Sequence, residues 1–311
     1  MSQPARSAPP LDPVRWLNNQ PYVLLTLTSL FWAGNIVLAR HVAGHVPPLT
    51  LSCLRWYGTF LILLPFAWPH LKRDWPVLRA HLPLLLLLSV LGFAYNNAIS
   101  FWAMQYTEAL NALLIQSAGP LFVAVWTLLL FGVRLTGAQL AGIAISLVGV
   151  LTIILRGDWS ALAGIRFNRG DLMFGSSLVA FGLYSALMLR RPVTHPLSLI
   201  SFTTCCGATM LVPFSIWEYS AGFTLKFDAI SLVTLGYTVI FPSTLAYTFF
   251  NRGLALIGPN RAAPFFHLVP VFGSAMAILL LGEQLRLYHL AGYALVLAGV
   301  AIASRRASAK A

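Results

Sequence analysis

Ten stretches in which apolar residues run on almost without charge divide this chain, near residues 22–39, 48–68, 83–104, 108–131, 137–155, 171–190, 197–217, 229–251, 261–281 and 287–304. Each matches the roughly 20 residues that a helix needs to cross a hydrocarbon layer of about 30 Å. They are rich in Leu, Gly and Ala and lack the alternation of a membrane strand, so the pattern predicts an all-α integral membrane protein. Composition agrees, with 58% of the 311 residues hydrophobic and 9% charged.

Sliding the chain against itself by 150 residues lays Ala112–Val150 on Ala262–Val300, so that LAGIAISLVGV meets LAGYALVLAGV and Pro120, Gly142 and Gly149 meet Pro270, Gly292 and Gly299. Each half holds an odd number of crossings, which makes the two repeats inverted, an architecture used mainly by transporters. The expected organisation is a tail over 1–20, a first five-helix repeat over 21–155, a connector over 156–170, a second repeat over 171–304 and a tail over 305–311, arranged around a central cavity.

A net charge of +12 has to be read through this topology. With the N-terminus inside, thirteen Lys and Arg fall on the cytoplasmic side and six on the other. The positive-inside rule then puts both termini in the cytoplasm, consistent with a bacterial inner membrane. The connector dissents, because it carries Arg156, Arg166 and Arg169 on the outer side. The first twenty residues lack the apolar core and cleavage site of a signal peptide and read as a cytosolic tail. Cys53, Cys205 and Cys206, odd in number and inside spans, read as packing residues and not as disulfide or zinc ligands. The stripe Ala138, Gly142, Ser146 and Gly149, echoed by Gly292 and Gly299, reads as a seam between helices of one chain in preference to a dimer contact.

The segments FWAGNIVLAR, ALNALLIQSAGPLFVAVWTLLLFG, ALIGPNRAAPFFHLVPVFGSAMAILLLGEQL and LAGYALVLAGVAIASRR resemble the drug/metabolite transporter superfamily in its EamA-type branch of ten-helix proteins. The resemblance covers nearly the whole chain after the tail. It implies export of amino acids or other small metabolites, and the amino-acid exporters are the most similar. The family's usual acidic residue after the fourth helix of each half is present as Glu283 but replaced by Val133 in the first half.

Prolines at corresponding places inside spans mark Pro120, Pro264 and Pro270 as helix breaks beside a transport cavity, or else as simple kinks. Mid-depth polar and aromatic residues mark the same region: Trp32, Asn35, Tyr95, Asn96, Asn97, Gln116, Ser117, Tyr184, Ser243, Tyr247 and His267. They are expected to point inward, toward substrate or toward one another. Arg55 either meets a substrate carboxylate or snorkels to the outer interface, the latter slightly favoured, and His267 either shuttles a proton or stays neutral and hydrogen-bonded.

The eight carboxylates, Asp12, Asp74, Glu108, Asp158, Asp171, Glu218, Asp228 and Glu283, fall in tails, loops or helix ends, which disfavours a carboxylate-coupled pump. Rings and amides with few charges suit small zwitterionic solutes, whereas sugar phosphates would require mid-depth Lys and Arg. No metal, cofactor or catalytic motif of the HExxH or GxSxG type is present, so an enzyme is not expected. The expected function is alternating-access export of amino acids or similar amphipathic metabolites, facilitated or weakly proton-coupled, with a monomer plausible. The alternatives are a drug or other-metabolite exporter of the same fold and, behind it, a channel, for which no filter sequence argues.

Overall fold

A computed structural model describes residues 13–107, 112, 115–164, 168–281 and 286–304. The tails beyond these limits, Glu108, Arg166 and Glu283 lie outside the described residues. Among the described residues, ten helical segments make up the bundle: α1 Pro21–His41, α2 Pro48–Ala80, α3 Leu82–Ala103, α4 Gly119–Phe131, α5 Gly137–Ile154, α6 Arg169–Leu187, α7 Pro196–Ser220, α8 Ala229–Ile257, α9 Leu268–Leu281 and α10 Leu287–Ser304. Eight are long and apolar enough to cross a membrane, and α4 and α9 are the shorter two, at equivalent places in the two repeats.

Helix contacts follow the repeat. The α2–α7 and α5–α10 pairs pack against each other, while α1 packs on α8 and α9 as α6 packs on α3 and α4. Exchanging the halves reproduces that list. Arg252 reaches Asn18 and Asn19 on the face that holds the described ends of the chain, here the termini face, and Arg169 covers the Tyr106 ring at 3.8 Å on the opposite, connector face.

The two small-residue stripes meet each other, so that α5 and α10 are joined by backbones in contact. A Cβ on Gly142 would stand 2.5 Å from the Gly299 carbonyl oxygen, and one on Gly149 2.8 Å from that of Gly292. Small residues serve here because lipid tails supply no hydrophobic force between helices, so attraction comes from close packing.

Helix α2 runs well past the predicted end at residue 68 and contains Pro65, Pro69 and Pro76. Beyond the hydrocarbon layer, water can satisfy the backbone groups that a proline frees. The extension carries Asp74 to the start of α7, where its carboxylate accepts the His195 N–H (2.7 Å) and the Ser198 hydroxyl (2.8 Å). At the other membrane face the relation is reversed. Glu218, near the end of α7, accepts the N–H groups of Leu49 (3.1 Å) and Thr50 (2.7 Å) and the Thr50 hydroxyl (2.8 Å) at the start of α2. Each helix thus ends in an acid that caps the other's N-terminus, where free N–H groups and the helix dipole favour negative charge. Glu218→Gln is expected to destabilise the folded protein by about 2 kcal/mol, the worth of charge-assisted hydrogen bonds to a buried carboxylate. Thermal unfolding in detergent reads this. Combining it with Asp74→Asn should give additive losses, because the two caps lie at opposite ends of the pair.

Candidate functional site

Two π-helical bulges shape the centre, Val90–Ala94 in α3 and Val239–Leu245 in α8, again at repeat-equivalent places. A π-bulge inserts an extra residue into the helical ladder and leaves carbonyls to be satisfied from outside it. The Gly92 carbonyl accepts Tyr247 O–H (2.7 Å) and Asn97 Nδ2 (3.0 Å), Phe93 accepts Trp56 Nε1 (2.8 Å), and Pro242 accepts Trp32 Nε1 (3.2 Å). Trp32, Trp56, Asn97 and Tyr247 are therefore held by the bulges they complete.

Above this level a cavity of about 90 Å³ opens among α1, α3, α6, α8 and the segment before α4, lined by Trp32, Asn35, Asn96, Asn97, Ser100, Gln116, Tyr247 and apolar neighbours from Ile36 to Phe181. Its floor is aromatic: the Trp32 ring meets Phe181, Tyr247, Phe250 and Phe266 at centroid distances of 5.2–5.8 Å. Asn35 Oδ1 is buried with no hydrogen-bond partner, leaving an acceptor for a solute. Ser100 donates to Ser177 (2.8 Å) and so fixes α3 to α6 beside the cavity. No Asp or Glu lines the cavity among the described residues.

Of the eleven residues expected to point inward, Trp32, Asn35, Asn96, Asn97, Gln116 and Tyr247 line the cavity. The other five do not. Tyr95 is exposed on the outside of the bundle and pairs with Ser176 (2.8 Å). Tyr184 lies under the aromatic floor and donates to Asn251 (2.8 Å). Ser243 donates to the Thr238 carbonyl inside its own bulge (2.6 Å) and accepts Arg55 Nε (2.7 Å). Ser117 and His267, equivalent by the repeat, meet directly where the two broken helices cross. His267 Nε2 donates to the Ser117 carbonyl (2.7 Å), and Nδ1 faces the Ser146 hydroxyl.

That crossing also accounts for the prolines. Pro120 opens α4, Pro264 sits in the 3₁₀ turn Ala263–His267, and Pro270 follows at the start of α9. The three stand at helix breaks, and none of them is itself part of the cavity wall. The carbonyls near the breaks are taken by side chains of the bundle, Ser117 by His267 and Phe265 by the Ser29 hydroxyl (2.8 Å). Both ring nitrogens of His267 are engaged in this lock. His267→Gln is accordingly expected to lower the melting temperature by several degrees, the cost of about 1–3 kcal/mol in a buried hydrogen-bond network. The pH dependence of transport should be unchanged, and a flattened pH profile in a protein of normal stability would contradict that assignment.

Arg55 does not snorkel. It is 1% exposed, its Nη1 has no partner, and its guanidinium lies 4.8 Å from the Trp56 ring centre and 5.3 Å from that of Phe101. The cation–π contacts and the bond to Ser243 hold it inward. Phe101 separates it from the cavity, whose wall that ring forms. Sequence reasoning passed over Phe101, Phe174, Leu178 and Phe181 because nothing marks an apolar residue as facing a cavity. The one available signal was their position on α3 and α6, helices already implicated by Asn96 and Tyr184.

Two repeats of apolar helices, most of them long enough to cross a membrane, packed about a central amide- and aromatic-lined pocket are the architecture of a membrane transporter. The chain belongs to the EamA-like transporter family, which matches residues 20–155 and again 168–305. It is 28% identical to the uncharacterized transporter YyaM of Bacillus subtilis over 91% of this chain and 93% of that one. It is also 29% identical to a probable amino-acid metabolite efflux pump of Salmonella typhimurium (90% and 93% covered) and to its namesake in Escherichia coli (90% and 93%). One crystal structure superposes with a TM-score of 0.71 at 17% identity, over 92% of this chain and 98% of that one, a likeness of fold alone.

Proposed function

We propose that the protein exports amino acids or similarly small amphipathic solutes by alternating access, as a transport protein and not an enzyme. The observation that carries this reading is the pairing of a row of amides, Asn35, Asn96, Asn97 and Gln116, with the Trp32–Phe181–Tyr247 floor. Amides bind an ammonium or carboxylate by hydrogen bonds, and ring faces bury the side chain. A volume of about 90 Å³ favours a small solute over a drug-sized one, which needs roughly 300 Å³ or more. Arg55 supplies the carboxylate's counter-charge once the Phe101 ring moves aside. The names of the Salmonella and Escherichia relatives point the same way. The excess of Lys and Arg on one side supports an orientation with both termini in the cytoplasm of a bacterial cell and the connector outside.

Purified protein in liposomes should move labelled leucine with saturable kinetics. Flux that never saturates would favour a channel, and failure across the amino acids with transport of a larger solute would favour a drug exporter. Reporter fusions at the connector should label from outside the cell, and cytoplasmic labelling there would reverse the orientation.

A further inference from the structure

On the termini face, α6, α7 and α8 enclose a second cavity of about 240 Å³ lined by Arg191, Thr194, Thr248, Asn251, Arg252 and apolar neighbours. The 150-residue offset relates these helices to α1, α2 and α3. Residues at the connector-face ends of α1 and α3, Ala39 and Met104 among them, line the midplane cavity. The second cavity lies toward the other side of the membrane, and by the same offset its Asn251 corresponds to Phe101 of the midplane cavity. Between the two stand the Tyr184–Asn251 hydrogen bond (2.8 Å), the stacked Phe181–Tyr184 pair (5.4 Å) and Tyr247.

The chemistry of the two mouths differs. Arg191 and Arg252 occupy the places that the offset assigns to His41 and Trp102, so two guanidiniums gather on the termini side. Neither meets a carboxylate among the described residues. Arg191 Nη1 donates to the Met188 carbonyl (3.0 Å), while Arg252 donates from Nε to the Asn18 carbonyl (2.8 Å) and from Nη2 to Asn19 Oδ1 (3.0 Å). A guanidinium carries five N–H donors, so both retain donors for a ligand. Thr194 Oγ1 lies buried in the same region with no partner. Burial draws Arg191 below its ordinary pKa; Tyr184 opposes this, and the like charge of Arg252 adds to it, so the two guanidiniums feel each other. Two neighbouring cations without an acid favour an anion between them, and the planar fork of Arg matches an oxyanion in two-point fashion.

We propose that this antechamber captures the carboxylate of the outgoing solute, with Arg191 and Arg252 as its binding residues, before the solute passes the aromatic floor. The identity of the solute rests on the amino-acid reading above, whereas the oxyanion site does not.

The test has two arms. In neutral detergent, sodium N-acetyl-leucinate should raise the melting temperature of the full chain and its uncharged analogue N-acetyl-leucinamide should not. R191Q and R252Q should lose the response, with their unliganded melting showing that they fold; should either fail to fold, R191K and R252K, which keep the charge but lose the fork, should show a weaker response. Absence of a carboxylate-dependent shift in the wild type, or an undiminished shift in the variants, overturns the site. So does a shift produced by phosphatidylglycerol but not by N-acetyl-leucinate, which would make it a lipid headgroup contact.

In liposomes, R191Q should raise the KM for leucine loaded at the termini face about tenfold, the loss of roughly one charge-assisted hydrogen bond, with kcat unchanged. Carboxylate binding combined with an unaltered KM overturns the role in capture. Binding without any leucine transport by the wild type sinks the amino-acid reading and leaves the anion site standing.

Discussion

Arg55→Gln is expected to lower kcat/KM for a carboxylate-bearing solute by at least about 100-fold. The guanidinium is buried, has one nitrogen without a partner and meets no acid among the described residues. A charge left in that condition is costly, and an anionic ligand that approaches it gains what the protein has not supplied. Two charge-assisted hydrogen bonds at about 1.5 kcal/mol each amount to roughly 3 kcal/mol, or about two decades in kcat/KM. Gln keeps one donor for Ser243 and approximate shape, so the fold should persist. The control is leucinamide, which lacks the carboxylate: wild type and variant should handle it alike. Equal losses for leucine and leucinamide would make Arg55 a structural residue held by its rings. Arg55→Lys should recover part of the activity, since it restores the charge without the two-pronged geometry.

The largest effect on folding is expected at the α5–α10 crossing. Gly142→Val would drive a branched side chain into the Gly299 carbonyl and the Ala303 backbone, both within 2.6 Å of where a Cβ must lie. Backbone cannot move aside as a side-chain tip does, so the helices must separate along their whole contact. A loss of at least about 3 kcal/mol is expected, at the upper end of ordinary overpacking, with a corresponding fall in folded yield. Gly137→Val, at the start of the same helix with open space around it, should be tolerated far better. Fluorescence-detected size exclusion of the two variants makes the comparison. A normal elution profile for Gly142→Val would mean that the two helices are not in backbone contact.

The helices and their twofold repetition were legible because length, hydropathy and an internal repeat are properties of the chain itself, whereas which helix packs on which was not. The centre was legible only in part, for reasons that particular residues show. Asn35, Asn96, Gln116 and Tyr247 face the cavity, yet Ser243 and His267, equally polar and equally deep, spend hydrogen bonds on carbonyls beside bulges and breaks, Ser117 supplying the carbonyl that His267 meets. A polar residue in a membrane span has these two uses, and only geometry separates them. The bulge at Val90–Ala94 contains no proline to announce it, whereas its twin has Pro242. For the acids the sequence showed place but not use: Asp74 and Glu218 are near helix ends, and those ends adjoin the first turns of other helices, which no local pattern encodes.

The reciprocal caps of α2 and α7 also order events in time. Glu218 follows Thr50 by 168 residues, so at about 5–20 residues per second the ribosome delivers the acid roughly ten to thirty seconds after the N–H groups it will cap. Until then the start of α2 rests at the membrane face with water as its partner. The first half of the chain thus lacks this cap until the second half arrives to supply it.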